Sequence, residues 1–268
     1  MSNNLGIVFS GGGARTLAHV GLIKALEEEN VKVTHVSGAS AGAIVAALYA
    51  AGHGAEKILE FFKKTVLFKL SLHMVSQSGF LSTDEYSGIF KQYFIQNDFN
   101  ALEKKLYVAA TDILNARSRI FYQGNLIKAL LASTAYPMIF RPVEIEGKLY
   151  FDGGITNDFP VEPIGWQCDK VIGSYVTPLT PMNKADLEKP MRLLQRAYDV
   201  CTMTNSVSKF AQCDLVLQPD QLNLYGFFET SRIDEIYRIG YLNAREKMGD
   251  ILNLVKAKEY DSENRRFL

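Results

Sequence analysis

Histidine, cysteine and tryptophan are scarce in this 268-residue chain: four histidines, three cysteines and one tryptophan. The cysteines, Cys168, Cys201 and Cys213, are odd in number and far from any close-spaced motif. A disulfide framework is thereby excluded, and with so few histidines a structural zinc site is not expected. Excess charge of either sign is also missing, since 29 lysines and arginines balance 29 aspartates and glutamates. That balance argues against wholesale nucleic-acid binding and, with 47% hydrophobic residues, against global disorder. No window approaches twenty uninterrupted apolar residues, so no membrane-spanning helix is expected. Met1-Ser2-Asn3-Asn4 runs straight into Leu5–Phe9 without a basic stretch and apolar run, so no secretory signal is expected either. A reducing, cytoplasmic location follows as the expectation.

What is present is a regular alternation of short apolar runs with helical patterns. Leu5–Phe9 reads as a buried strand, 17–30 as a helix, 31–36 as a second strand and 41–51 as a second helix closed by Gly52 and Gly54. Later strands are expected at 106–110, 118–122, 149–151, 171–176 and 215–217, and helices at 125–132, 190–210 and 231–254. Strand-helix alternation predicts a mainly parallel sheet with helices on both faces, an α/β fold. No Gly/Ser linker or repeat divides the chain. A single domain over 1–268 is expected, with a motif-bearing core at about 5–175 and a C-terminal helical part at about 190–256.

Two glycine-rich turns follow the first two strands. Gly38-Ala39-Ser40-Ala41-Gly42 is a G-x-S-x-G between strand and helix, the setting of a nucleophile elbow that presents Ser40 at the carboxyl end of the sheet. Ser10-Gly11-Gly12-Gly13-Ala14-Arg15 follows the first strand. A dinucleotide fingerprint fails there: counting from Gly11, Thr16 stands where the last glycine belongs, and no acid ends the second strand. A P-loop fails for want of Gly-Lys-Ser/Thr, so no cofactor is expected. The remaining use for the N–H groups of Gly11, Gly12 and Gly13 is an oxyanion hole; the plain alternative is a structural glycine turn.

Ser40 needs a base, and acyl hydrolases of the Ser…Asp…His order place a histidine late in the chain. The four histidines are His19, His35, His53 and His73, so none follows residue 73. A carboxylate held close and partly dehydrated can serve instead. Asp152-Gly153-Gly154, after an apolar run, offers one.

These motifs together resemble the patatin-like phospholipase family. Gly11-Gly12-Gly13-Ala14-Arg15 through His19, Gly21 and Lys24-Ala25-Leu26 is similar to its oxyanion block, and Gly38–Gly42 to its nucleophile block. Ala132–Val143 is similar to a third block, and Asp152-Gly153-Gly154 to its aspartate motif; Ala110-Thr111-Asp112 and Asn157–Val161 also stand in familiar places. Thr16 departs from the family, which usually has glycine there. The resemblance implies a three-layer α/β/α fold, a Ser40–Asp152 dyad, and metal-independent hydrolysis of lipid acyl esters, phospholipid or lysophospholipid. Arg15 either fixes the glycine loop or meets a phosphate headgroup, and Asp112 is expected as a structural carboxylate. The alternatives are an acyltransferase or thioesterase with the same nucleophile, or a regulatory protein with little turnover.

Residues 58–81 interleave aromatics and leucines with lysines. They read either as a basic amphipathic surface for peripheral membrane contact or as a helix whose apolar face joins the core. Residues 71–81 read as an entrance flap, followed by a capping-box pattern at Ser82–Glu85. A second apolar cluster, Leu222–Phe228, either borders an acyl pocket or packs in the core.

Overall fold

The computed structural model describes residues 4–65, 86–137, 139–188 and 190–264. At its centre is one eight-stranded sheet. Its strands are β1 (Leu5–Phe9), β2 (His35–Ala39), β3 (Lys105–Asp112), β4 (Arg117–Phe121), β5 (Val143–Ile145), β6 (Lys148–Asp152), β7 (Lys170–Ser174) and β8 (Leu215–Leu217). The order is β5-β6-β3-β2-β1-β7-β8, with β4 paired to β3 beside that path. From β3 to β8 every pairing is parallel, while β4, β6 and β5 add an antiparallel flank. The sheet is therefore mixed, with the expected parallel arrangement in its middle.

The described residues also form ten α-helices: α1 (Leu17–Glu28), α2 (Ser40–Ala50), α3 (Ala55–Lys64), α4 (Ser87–Tyr93), α5 (Leu126–Ser133), α6 (Gly154–Asn157), α7 (Glu162–Gly165), α8 (Pro190–Val207), α9 (Ile233–Glu246) and α10 (Met248–Asn264). The stretch expected as one helix over 231–254 is two, separated at Lys247. Among the described residues no helix is long and apolar enough to cross a membrane.

The strand period of two divides the core. Leu5, Ile7 and Phe9 point into the large apolar cluster with α1, α2, α3 and α5, whereas Val8 joins a smaller one with Phe159, Val161 and Ile164. Gly6 lies on that thinner side, where a Cβ would come within 2.8 Å of Cys168 Sγ. A strand buried on both faces needs no polar alternation, which is why 5–9 reads as a continuous apolar run.

The second strand lies further along than the expected 31–36. Its register against β1 pairs Gly6 with His35 and Phe9 with Gly38, so the strand runs to Ala39 and passes without a loop into α2. Asn30, at φ 54°, turns the chain, and Val33 is buried ahead of the strand proper. On α3, Ile58, Phe61 and Phe62 are buried, so that part of 58–81 takes the core-face reading. Positions 66–85, with the expected flap and capping box, lie outside the described residues.

Candidate active site

Ser40 sits at the junction of β2 and α2 with φ 52°, a left-handed conformation rare for a residue with a side chain. Two close approaches create the turn's need for small neighbours. A Cβ on Gly38 would lie 2.7 Å from the Gly42 carbonyl oxygen, and one on Gly42 would lie 2.2 Å from that of Ser10. The Ser40 N–H donates to Ser133 Oγ at 2.9 Å, which pins the strained residue from α5. The side chain is left at the first turn of a fully buried helix, whose N-terminal end carries a partial positive charge.

Asp152 ends β6, opposite Ala110 of β3. Its N–H donates to the Ala135 carbonyl and that of Gly153 to the Ser133 carbonyl, so the 132–143 block clamps both partners of the site. Gly153 is required there, because a Cβ would stand 2.3 Å from the Ala109 carbonyl oxygen. Across a sequence separation of 112, Ser40 Oγ donates to Asp152 Oδ2 at 2.6 Å. Oδ1 accepts from the Gly154 N–H at 2.8 Å. Burial pushes the Asp152 carboxyl up to about 6, against the opposing pull of hydrogen bonds from Ser40, Gly154 and Tyr198.

The glycine loop faces this pair, but its three N–H groups are not equivalent. Gly11 donates to the Asp158 carbonyl at 3.2 Å, so its donor is already engaged. Those of Gly12 and Gly13 have no acceptor among the described residues. Gly12 has φ 151° and Gly13 φ 58°, and a Cβ on Gly13 would meet the Phe227 carbonyl oxygen at 2.3 Å. Arg15 Nε donates to the Gly12 carbonyl at 3.3 Å, and its Nη2 lies 3.6 Å from Asp199. Thr16, the departure from the family pattern, fits because its hydroxyl donates to the Gly13 carbonyl at 2.7 Å.

His19 is buried with Nδ1 2.7 Å from Ser174 Oγ and Nε2 2.9 Å from the Ser10 carbonyl, and dehydration lowers it to about 4. It ties the first strand's end to β7 and does not touch Ser40. Asp112 accepts from Asn115 in the turn after β3, a structural placement away from the dyad. Two groups near the site were not singled out from sequence. Asp158, buried under Gly11, is raised to about 7 by dehydration and by the charges of Asp152 and Asp199, with Arg15 opposing. Tyr198 reaches in from α8, where a Cβ on Gly154 would meet its hydroxyl at 2.3 Å. Asp158 falls in the 157–161 stretch that resembles the family, whereas no spacing around Tyr198 signals a site; the chain path brings both there.

One hollow adjoins Ser40 and a second lies beyond it. A small one of about 40 Å³ is lined by Gly13, Ser40, Ile139, Phe140, Phe227 and Phe228. A larger one of about 400 Å³ lies beyond Phe227, Phe228 and Tyr136 and is bordered by Arg15, Arg192 and Arg196. Of the cluster 222–228, Leu222 is buried in the core, as the packing reading expects, while Phe227 and Phe228 wall both hollows.

The family model described as patatin-like phospholipase matches residues 7–164. An uncharacterised NTE family protein of Mycobacterium tuberculosis is 31% identical over 169 residues, 61% of this chain and 46% of that protein. Lysophospholipase NTE1 of Meyerozyma guilliermondii is 27% identical across 90% of this chain, which spans 19% of that protein's length. Among solved structures, human GIVD cytosolic phospholipase A2 superposes with a TM-score of 0.55 at 11% identity, over 95% of this chain and 60% of that one. VipD from Legionella pneumophila gives 0.54 at 14% identity, over 92% and 67%. At such identities the superpositions speak to the fold alone.

Proposed function

The chain belongs to the patatin-like phospholipase family, and from that premise we propose that it hydrolyses lipid acyl esters, phospholipid or lysophospholipid, through Ser40 and Asp152. The observation that carries the reading is the 2.6 Å hydrogen bond from Ser40 Oγ to a buried carboxylate, with no histidine hydrogen-bonded to either group among the described residues. Ser40 attacks the ester carbonyl as Asp152 Oδ2 takes its proton, forming a tetrahedral intermediate. The free N–H groups of Gly12 and Gly13 support its oxyanion, where a single such donor is typically worth about 10²–10³ in turnover. Gly11 serves differently, by engaging Asp158 and leaving room for its carboxylate. Asp152 returns the proton to the departing alcohol. It then draws one from the water that releases the fatty acid and restores Ser40. Arg15 braces the loop through Gly12 and borders the larger hollow, where a headgroup phosphate would meet its charge.

Hydrolysis of a soluble p-nitrophenyl ester tests the assignment. Ser40→Ala and Asp152→Asn should each reduce kcat/KM by at least about 10³-fold, within the range seen when a nucleophile or its base is removed. Labelling by a fluorophosphonate should vanish in Ser40→Ala. Undiminished turnover in either variant would refute the dyad.

A further inference from the structure

Helix α8 carries its polarity inside out. A surface helix normally turns its apolar stripe to the core and its polar residues to water. Here Gln195, Asp199, Thr202 and Ser206 face the protein, the last three buried. Gln195 donates to Asp199 at 2.8 Å, and Asp199 stands 3.6 Å from Arg15. Tyr198, Asp199 and Thr202 border a crevice shared with Ser40 and Asp152. Apart from Tyr198, which packs on Tyr136, the inner face is thus committed to polar contacts.

The apolar residues of the helix point the other way. Leu193 is 52% exposed, Leu194 48%, Val200 45% and Val207 42%. Leu193, Val200 and Val207, with Ala197 and Thr204 between them, recur at helical spacing and make one stripe along the outer surface. Its only acid is the buried Asp199, so the exposed surface of α8 carries no negative charge, and Arg192 and Arg196 flank the stripe. The flanking Arg192 and Arg196 line the 400 Å³ hollow, whose border also holds Leu224, 74% exposed, and Met182, 40% exposed. Burying leucine and valine side chains is favourable, so several left in water along one stripe mark a surface made to be covered.

We propose that the outer face of α8 is the surface by which this protein seats on an anionic lipid bilayer, with the mouth of the hollow turned toward the lipid. Charge complementarity favours that occupant: an apolar stripe edged by arginines suits acyl chains beneath anionic headgroups. The position of the mouth favours it over a second copy of the chain. A protein pressed on the stripe would shut the hollow, whereas a bilayer would supply it. The link between seating and substrate rests on the hydrolase reading; the seating itself does not.

Co-sedimentation with vesicles tests it, using Ser40→Ala protein so that no lipid is consumed. Binding should be stronger to phosphatidylcholine vesicles containing phosphatidylglycerol than to phosphatidylcholine alone. Adding Leu193→Asp and Val200→Asp should cut the bound fraction at least tenfold. The same pair in the Ser40 background should leave hydrolysis of a soluble ester within twofold, which also shows that it folds. A milder pair, Leu194→Ser with Val207→Ser, should lower binding at least threefold and serves if the aspartates prevent folding. Equal sedimentation of parent and variants overturns the proposal. So does a change from dimer to monomer with vesicle binding untouched, which assigns the face to a second copy. Vesicle binding without ester hydrolysis would leave the seating standing and sink the hydrolase reading alone.

Discussion

Asp152 answers to two opposing demands. As the proposed base it must be charged to accept the Ser40 proton, yet burial favours its neutral form and pushes it up to about 6. At pH 7 the carboxylate prevails, and below about pH 6 it takes up a proton. The expected kcat/KM profile on a soluble ester therefore has an acid limb near pH 6, falling about tenfold per pH unit beneath it; a flat profile from pH 4.5 to 7.5 would contradict the base. Asp158 lies higher, at about 7. Both groups are raised above the 3.8 of an unperturbed aspartate, so between about pH 4 and 7 the folded chain keeps protons that the unfolded chain has released. Their contribution to stability is complete below that window and is lost as the pH rises through it. Asp158→Asn removes one share of the loss. Its melting temperature relative to the parent should rise between pH 5 and pH 8, and a pH-independent difference would show that Asp158 does not titrate there.

At the scale of elements, two contacts hold the site's framework. One is the pinning of α2 by α5 through Ser133. The other is the crossing of α1 and α9, where the helices touch backbone to backbone. A Cβ on Gly21 would stand 2.3 Å from the Tyr237 carbonyl oxygen, and one on Gly240 would stand 2.0 Å from that of Ala18. Helix axes that normally pack 8–10 Å apart can approach more closely only where side chains are absent. Alanine in a helix interior is worth about 1 kcal/mol over glycine, and overpacking costs about 1–3 kcal/mol. Two backbones meeting at these distances place Gly240→Ala toward the upper end, so the variant should lose about 1–2 kcal/mol in urea unfolding. A gain in stability would show that the helices part freely. The spacing of the site depends on this crossing, because α1 continues directly from the glycine loop.

Across the whole molecule, four segments far apart in sequence close the space around Ser40. The glycine loop supplies its floor, Thr134, Tyr136, Ile139 and Phe140 one wall, α8 another, and Phe227 and Phe228 a partition. The Phe227 carbonyl also accepts from the Ala14 N–H at 2.8 Å, so the partition is fastened to the glycine loop. The 40 Å³ beside Ser40 is shorter than a long acyl chain, and Phe228 separates it from the larger hollow. Phe228→Ala should open that partition and raise kcat/KM for an octanoate ester relative to an acetate ester by about three- to tenfold, the scale of a few methylenes gaining a pocket. An unchanged ratio would place the acyl chain elsewhere.

The elbow at Ser40, the glycine loop and the alternation of strands and helices were legible in the sequence, because they are rules of neighbouring residues: which φ a glycine permits, which spacing buries a face. The want of a late histidine pointed to Asp152 by the same local reading. Only the tertiary structure decided that β2 runs on to Ala39, that Gly11 has its donor engaged, that Asp158 is buried beside the dyad, and that α8 turns its leucines outward. Each of these depends on what a group meets across a hundred or more positions of chain. Burial, dehydration and the engagement of a hydrogen-bond donor are properties of the partner as much as of the residue.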